Sequence, residues 1–216
     1  MTHTIHARAV LLDMDGTLVD STAVVERLWL QWAAPHGIDA ARVMEVVHGR
    51  QGHQSMAIML PERDHAVNLV ENQEMLARET DDVDGVVAIG GAQELLAALA
   101  QHPHAIVTSA DVALMTARMD AAGLAVPQLA ITAESVTASK PHPEGFLKAA
   151  FLLGIDPADC VVFEDSPAGI QAGLAAGMTV IGVGRLAAEN DPTYAVDDLT
   201  GITITARADG FGLTIA

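Results

Sequence analysis

The chain has 216 residues, half of them hydrophobic but only 3% aromatic, so a sizeable core is available, built mainly from Ala, Val, Leu, Ile and Met. Against 28 acidic residues stand only 11 basic ones, a formal net charge of −17, which disfavours nucleic acid and anionic membranes, since both are bound through Lys and Arg patches. The single cysteine, Cys160, excludes an internal disulfide and, inside the apolar run CVVF, predicts a buried, inert thiol. No uninterrupted apolar run reaches the ~20 residues of a spanning helix, and MTHTIHAR lacks the basic start and apolar stretch of a secretion signal. The expectation is a soluble cytoplasmic protein, a monomer or weak homo-oligomer.

In chain order, residues 9–13 (AVLLD) form an apolar run that ends in an acid and a Gly-Thr turn. That pattern suits a buried parallel strand whose C-terminal end carries chemistry. Residues 19–84 carry helical patterns at 21–37, 40–49 and 66–80 and no strand pattern, which predicts a helical insertion hinged near Val19 and Asp84. Beyond it, strand-like runs at 104–109, 129–132, 160–165 and 178–184 alternate with helical stretches at 92–101, 112–123, 143–154 and 167–177. Alternation of this length predicts βαβ units around a parallel sheet. Residues 202–215 read as two β runs around an Asp-Gly turn. The expected fold is α/β: a Rossmann-like core over 1–18 and 85–216, a helical cap domain over 19–84 and a C-terminal β-hairpin.

Four clusters carry chemistry. Asp13-Met14-Asp15-Gly16-Thr17 places two carboxylates, one residue apart, at the end of the first strand; alone, such a pair is also a solvated turn. Thr108 and Ser109 precede a helix, where hydroxyls and backbone N–H groups cradle phosphate or simply cap the helix. Lys140 lies in Ser-Lys-Pro-His-Pro, where the prolines can fix a cation that would otherwise be a solvated surface lysine; His142 belongs to that turn. Glu164 and Asp165 end the run CVVFED, and adjacent acids repel unless a cation sits between them. Mg²⁺ accepts such hard oxygen ligands. Gly169, Gly173 and Gly177 recur every four residues, which favours close helix-to-sheet packing, with Gly177 ending the helix.

In this order the motifs DMDGTLVDS, TSA, SKPHPEGFLKAA and EDSPAGIQAGLAAGM resemble those of the haloacid dehalogenase-like phosphatase superfamily. The resemblance spans nearly the whole chain, and the helical insertion resembles the superfamily's C1-type cap. It implies Asp13 as the nucleophile that becomes an aspartyl-phosphate, and Asp15 as general acid/base. It further implies Thr108, Ser109 and Lys140 as phosphate-binding groups, and Mg²⁺ held by Asp13, the Asp15 carbonyl and Asp165, with Glu164 a further ligand or a neighbour of one. Dehalogenases of the superfamily lack an acid at the position of Asp15, so phosphate ester chemistry is implied. The sequences VERLWLQWAAPHGI, VHGRQ and EDSPAGIQAGLAAGM are similar to the sugar and polyol phosphatases of the 2-deoxyglucose-6-phosphate and glycerol phosphatase branch. The substrate so implied is a small phosphorylated metabolite, a sugar or polyol phosphate. A phosphomutase of the β-phosphoglucomutase type shares core and cap and is the alternative, although DGTL leans towards the phosphatases. A catalytically silent binding protein fits poorly with four intact motifs. Within the insertion, Arg50 in the turn His48-Gly49-Arg50-Gln51 is the expected specificity residue, a planar donor fork for sugar hydroxyls or phosphate; the competing reading is a solvated arginine at a helix end.

Overall fold

The computed structural model describes residues 2–215. Its centre is a parallel sheet formed by β2 (Ala9–Leu12), β5 (His104–Val107), β6 (Ala130–Ile131), β7 (Cys160–Glu164), β8 (Thr179–Val183) and β9 (Tyr194–Val196), ordered β6-β5-β2-β7-β8-β9. Helices α5 (Ala92–Leu99), α6 (Val112–Ala121), α7 (Glu144–Leu153), α8 (Pro167–Ala175) and α9 (Gly184–Ala188) connect the strands. Both faces of the sheet are covered, so β2 is apolar throughout and its side chains divide by period two. Val10 and Leu12 join one core with Ile106, Val161, Phe163 and Ile181. Ala9 and Leu11 join the other with Ala105, Val107, Val162 and Phe146 of α7. The α/β architecture expected from the alternation is the one observed.

Between β2 and β5 the chain leaves the sheet through β3 (Val19–Asp20) and passes through α1 (Thr22–Ala33), α2 (Ala40–Val46), α3 (Gly52–Met59) and α4 (His65–Asp81). It returns through β4 (Val87–Ala88), which pairs antiparallel with β3, so outgoing and incoming connections are zipped together. No strand pattern is visible here because two residues are too short for a period, and α3 is hidden because it opens on Gly-His-Gln. Val24, Leu28, Trp29, Val43, Met56 and Met75 of the insertion belong to the same buried cluster as Val10 and Leu12 of the sheet. The helices are thus packed down on the core.

The C-terminal hairpin, β10 (Thr203–Arg207) and β11 (Gly210–Ile215), pairs Arg207 with Gly210, so the turn residues are Ala208 and Asp209 rather than Asp-Gly. An N-terminal strand, β1 (His3–Ala7), joins β11 to complete a three-stranded sheet. Only Ile5 and Ala7 of its five residues turn towards the core, too few for a sequence pattern.

Candidate active site

Strand order decides what meets at the site. Leu12 at the end of β2 is in register with Ile106 of β5 and Phe163 of β7. The residues just beyond these positions therefore gather at the carboxyl ends of three neighbouring strands, the place where ligands bind in open α/β sheets. Asp13 follows β2 directly, and its N–H donates to the Phe163 carbonyl at 3.0 Å. Thr108 and Ser109 follow β5, Glu164 ends β7, and Asp165 follows it. Gly16 makes the turn after Asp15 with φ +80, and a Cβ there would overlap Asp165 Oδ2.

Lys140 reaches this cluster from the loop before α7. Its buried Nζ donates to Asp13 Oδ1 at 2.5 Å and to Glu164 Oε1 at 2.6 Å. Glu164 Oε2 accepts from the Ser166 N–H at 2.7 Å and the Ser166 Oγ at 2.9 Å, while Ser166 Oγ accepts from the Gly169 N–H and caps α8. The carboxylate of Glu164 is thus held by three hydrogen bonds, one from Lys140 and two from Ser166, the residue that caps α8. Carboxylate oxygens of Asp13, Glu164 and Asp165 nevertheless lie within 4.8 Å of one another.

Three such carboxylates against one ammonium leave a surplus of negative charge. Burial pushes Asp13 up to about 8, with Glu164 and Asp15 pushing the same way against Lys140. Burial, followed by Glu164 and Asp13, pushes Asp165 well above the carboxylate range. Burial disfavours the charge on Lys140, but Asp13 and Glu164 outweigh it and hold the ammonium above its ordinary value. A cation would relieve this crowding, and an all-oxygen donor set suits a hard divalent ion. The cluster therefore fits a metal.

Asp15 points elsewhere. Its Oδ1 accepts from Ser21 Oγ at 2.7 Å, and its Oδ2 pairs with Arg118 Nη1 at 2.8 Å. Thr108 Oγ1 accepts from the Ala110 N–H, and α6 is capped by Asp111 rather than by Thr108 or Ser109. Ser109 Oγ donates to the Gly49 carbonyl at 3.2 Å, joining the turn after α2 to the end of β5. Arg50, in the same turn, donates from Nη1 to the Val46 carbonyl at 3.4 Å. It lines, with Asp13, Asp15 and Ser109, a cavity of about 100 Å³ between sheet and insertion.

Several further residues of this cavity escaped sequence reasoning, among them Ser21, His48, Glu79 and Arg118. Burial lowers the His48 pKa against the pull of Glu26 and Asp15, which favours a neutral imidazole. Arg118 left one trace in the sequence, a cation among Leu114, Met115 and Met119 on the buried stripe of α6.

Residues 7–177 match the family model for haloacid dehalogenase-like hydrolases. Hexitol phosphatase A of Escherichia coli strain K12 is 39% identical over 208 residues, covering 94% of this chain and 96% of that protein. The 2-deoxyglucose-6-phosphate phosphatase 2 of Saccharomyces cerevisiae is 30% identical over 222 residues, covering 90% and 89%. In fold, a β-phosphoglucomutase from Clostridium difficile superposes with a TM-score of 0.78 at 22% identity, covering 89% of this chain and 92% of that one. With four motifs gathered at the ends of three adjacent strands and a family match across most of its length, this chain belongs to the haloacid dehalogenase-like hydrolases.

Proposed function

We propose that this phosphatase hydrolyses hexitol or related sugar and polyol phosphates through a phosphoryl-aspartate at Asp13. The observation that carries the reading is the buried Lys140 fixed between Asp13 and Glu164, with Asp13 facing a cavity that polar and apolar residues of the insertion help to line. An anionic substrate approaching a chain of net charge −17 needs such local positive charge. Asp13 attacks phosphorus, the ester P–O bond breaks, and Asp15 gives the leaving alkoxide its proton. Asp15 then takes a proton from water, whose oxygen attacks the acyl-phosphate, releasing inorganic phosphate and restoring Asp13. Thr108, Ser109 and Lys140 hold the transferring oxygens, and Arg50 meets the remainder of the substrate from the insertion, 19–84, acting as a cap.

Asp13, the Asp15 carbonyl and Asp165 would hold Mg²⁺, which would supply charge neutralisation to the phosphoryl group. Glu164 serves Lys140 and the α8 cap rather than the metal, as its three hydrogen bonds support. The near full-length likeness to a hexitol phosphatase supports the substrate class. No helix among the described residues is long and apolar enough to cross a membrane; a cytoplasmic protein with no nucleic-acid partner, monomeric or weakly associated, accords with the buried free Cys160 and the acidic surface.

The test is phosphate release by purified protein with Mg²⁺ from a panel of hexitol, hexose, glycerol and nucleoside monophosphates. Hexitol phosphates should give the highest kcat/KM, and Asp13→Asn should abolish turnover on every ester. Isomerisation of a hexose 1-phosphate without phosphate release would replace this reading by the mutase.

A further inference from the structure

Arg118 is carried by α6 of the core, yet its guanidinium ends between two carboxylates from distant parts of the chain. Nη1 lies 2.8 Å from Asp15 Oδ2, and Nη2 lies 3.1 Å from Glu79 Oε2 near the end of α4. The side chain is 4% exposed, and that of Glu79 is 8% exposed. The second oxygen of Asp15 is taken by Ser21, the residue that opens α1. Asp15 is therefore tied to both ends of the insertion, directly through Ser21 at its start and through Arg118 to Glu79 at its finish.

A buried ion pair adds little net stability over apolar residues of similar volume, because desolvation offsets the attraction. Packing α4 against α6 does not need a guanidinium. What a guanidinium supplies, and Leu or Met cannot, is a planar fork that fixes two carboxylates at a set angle to one another. One of those carboxylates is Asp15. We propose that Arg118 is a positioning residue for Asp15, and that the Arg118–Glu79 pair makes the aim of Asp15 depend on where the inserted helices sit. The proposal rests on the reading of Asp15 as the general acid. In the arrangement seen, both Asp15 oxygens are engaged; the carboxyl turns to the leaving oxygen by giving up one of these partners, and a shift of α4 that draws Glu79 would move Arg118 with it.

The experiment measures kcat/KM with Mg²⁺ for 4-nitrophenyl phosphate and for phenyl phosphate, whose leaving group depends much more on protonation. Neither ester is a polyol phosphate, so failure of the substrate reading leaves this test intact. Arg118→Lys and Arg118→Met should each lower phenyl phosphate turnover by about tenfold more than 4-nitrophenyl phosphate turnover, within the range of a misplaced general acid. Glu79→Gln should shift the ratio the same way by a smaller factor. On Asp15→Asn the loss should not add, so that Asp15→Asn/Arg118→Lys is no worse than Asp15→Asn alone. Parallel losses on both esters, or a further loss on top of Asp15→Asn, would make Arg118 a structural or substrate-binding residue and overturn the proposal. If Arg118→Met does not fold, Arg118→Lys, which keeps the charge but not the fork, and Glu79→Gln, which keeps the size and a hydrogen-bonding group, separate the same two outcomes.

Discussion

Residue by residue, the site is governed by how few cations face how many buried carboxylates. Lys140 serves Asp13 and Glu164, and Arg118 serves Asp15 and Glu79. Glu79 allows this balance to be measured away from Asp13, Glu164 and Asp165. Burial pushes its carboxyl up to about 7; Arg118 opposes this, the Asp15 charge adds to it, and the Trp29 indole on α1 opposes it by hydrogen bonding. A folded-state pKa above the unfolded value means that the native state retains a proton the unfolded chain has lost, so stability falls as pH rises across that interval. Wild type should therefore lose stability relative to Glu79→Gln between about pH 4.5 and about pH 7, and track it in parallel above. Urea unfolding of both proteins at pH 5 and pH 8 checks this; a relative stability of wild type that stays flat or rises would contradict it.

Among the elements, the β7–α8 turn does most to build the site. Pro167 and the Ser166 cap start α8 immediately after Glu164 and Asp165, so strand end and helix start are locked together. Gly169 lies in the first turn of that helix, and a Cβ there would overlap Glu164 Oε1. The four-residue glycine spacing is readable in the sequence as close packing, but Gly169 is also the seat of the residue that holds Lys140. Gly169→Ala should gain the better helix propensity of alanine, about 1 kcal/mol, and still lower both melting temperature and turnover, because Glu164 must move. Gly177, which ends α8 with φ +75 and open space around it, contacts nothing in the site. Gly177→Ala should cost about 1–2 kcal/mol of stability for its left-handed backbone and leave kcat/KM alone. Comparison of the two variants by calorimetry and steady-state kinetics separates the roles, and equal loss of activity would refute the assignment of Gly169.

For the molecule as a whole, the sheet brings Asp13, Glu164 and Asp165 together in a chain that already carries a charge of −17. Chelation should abolish activity and lower the melting temperature, and Mg²⁺ should restore both. At about a hundredfold excess over its Kd, a ligand of the native state contributes about 2.7 kcal/mol. A melting temperature indifferent to Mg²⁺ and EDTA would remove the metal from the cluster. The α/β class, the parallel strands and the chemistry-bearing positions at their ends are legible in the chain alone, because an apolar run that stops at an acid or hydroxyl is a local pattern. The helical character of the insertion is legible in part: α1 and α2 bury spaced apolar residues, whereas α4 buries Asn68 and Glu79 beside Met75 and leaves Val67, Leu69 and Val70 exposed. In addition, α3 opens on Gly-His-Gln, and the two-residue strands β3 and β4 are too short to leave a period. Which partners those positions take is set by packing in three dimensions. Lys140 and Asp13 stand 127 residues apart, and Arg118 and Glu79 stand 39 apart on different helices. A charged residue carries no mark of the opposite charge it will meet, because strand order and helix packing, rather than neighbouring sequence, set that distance.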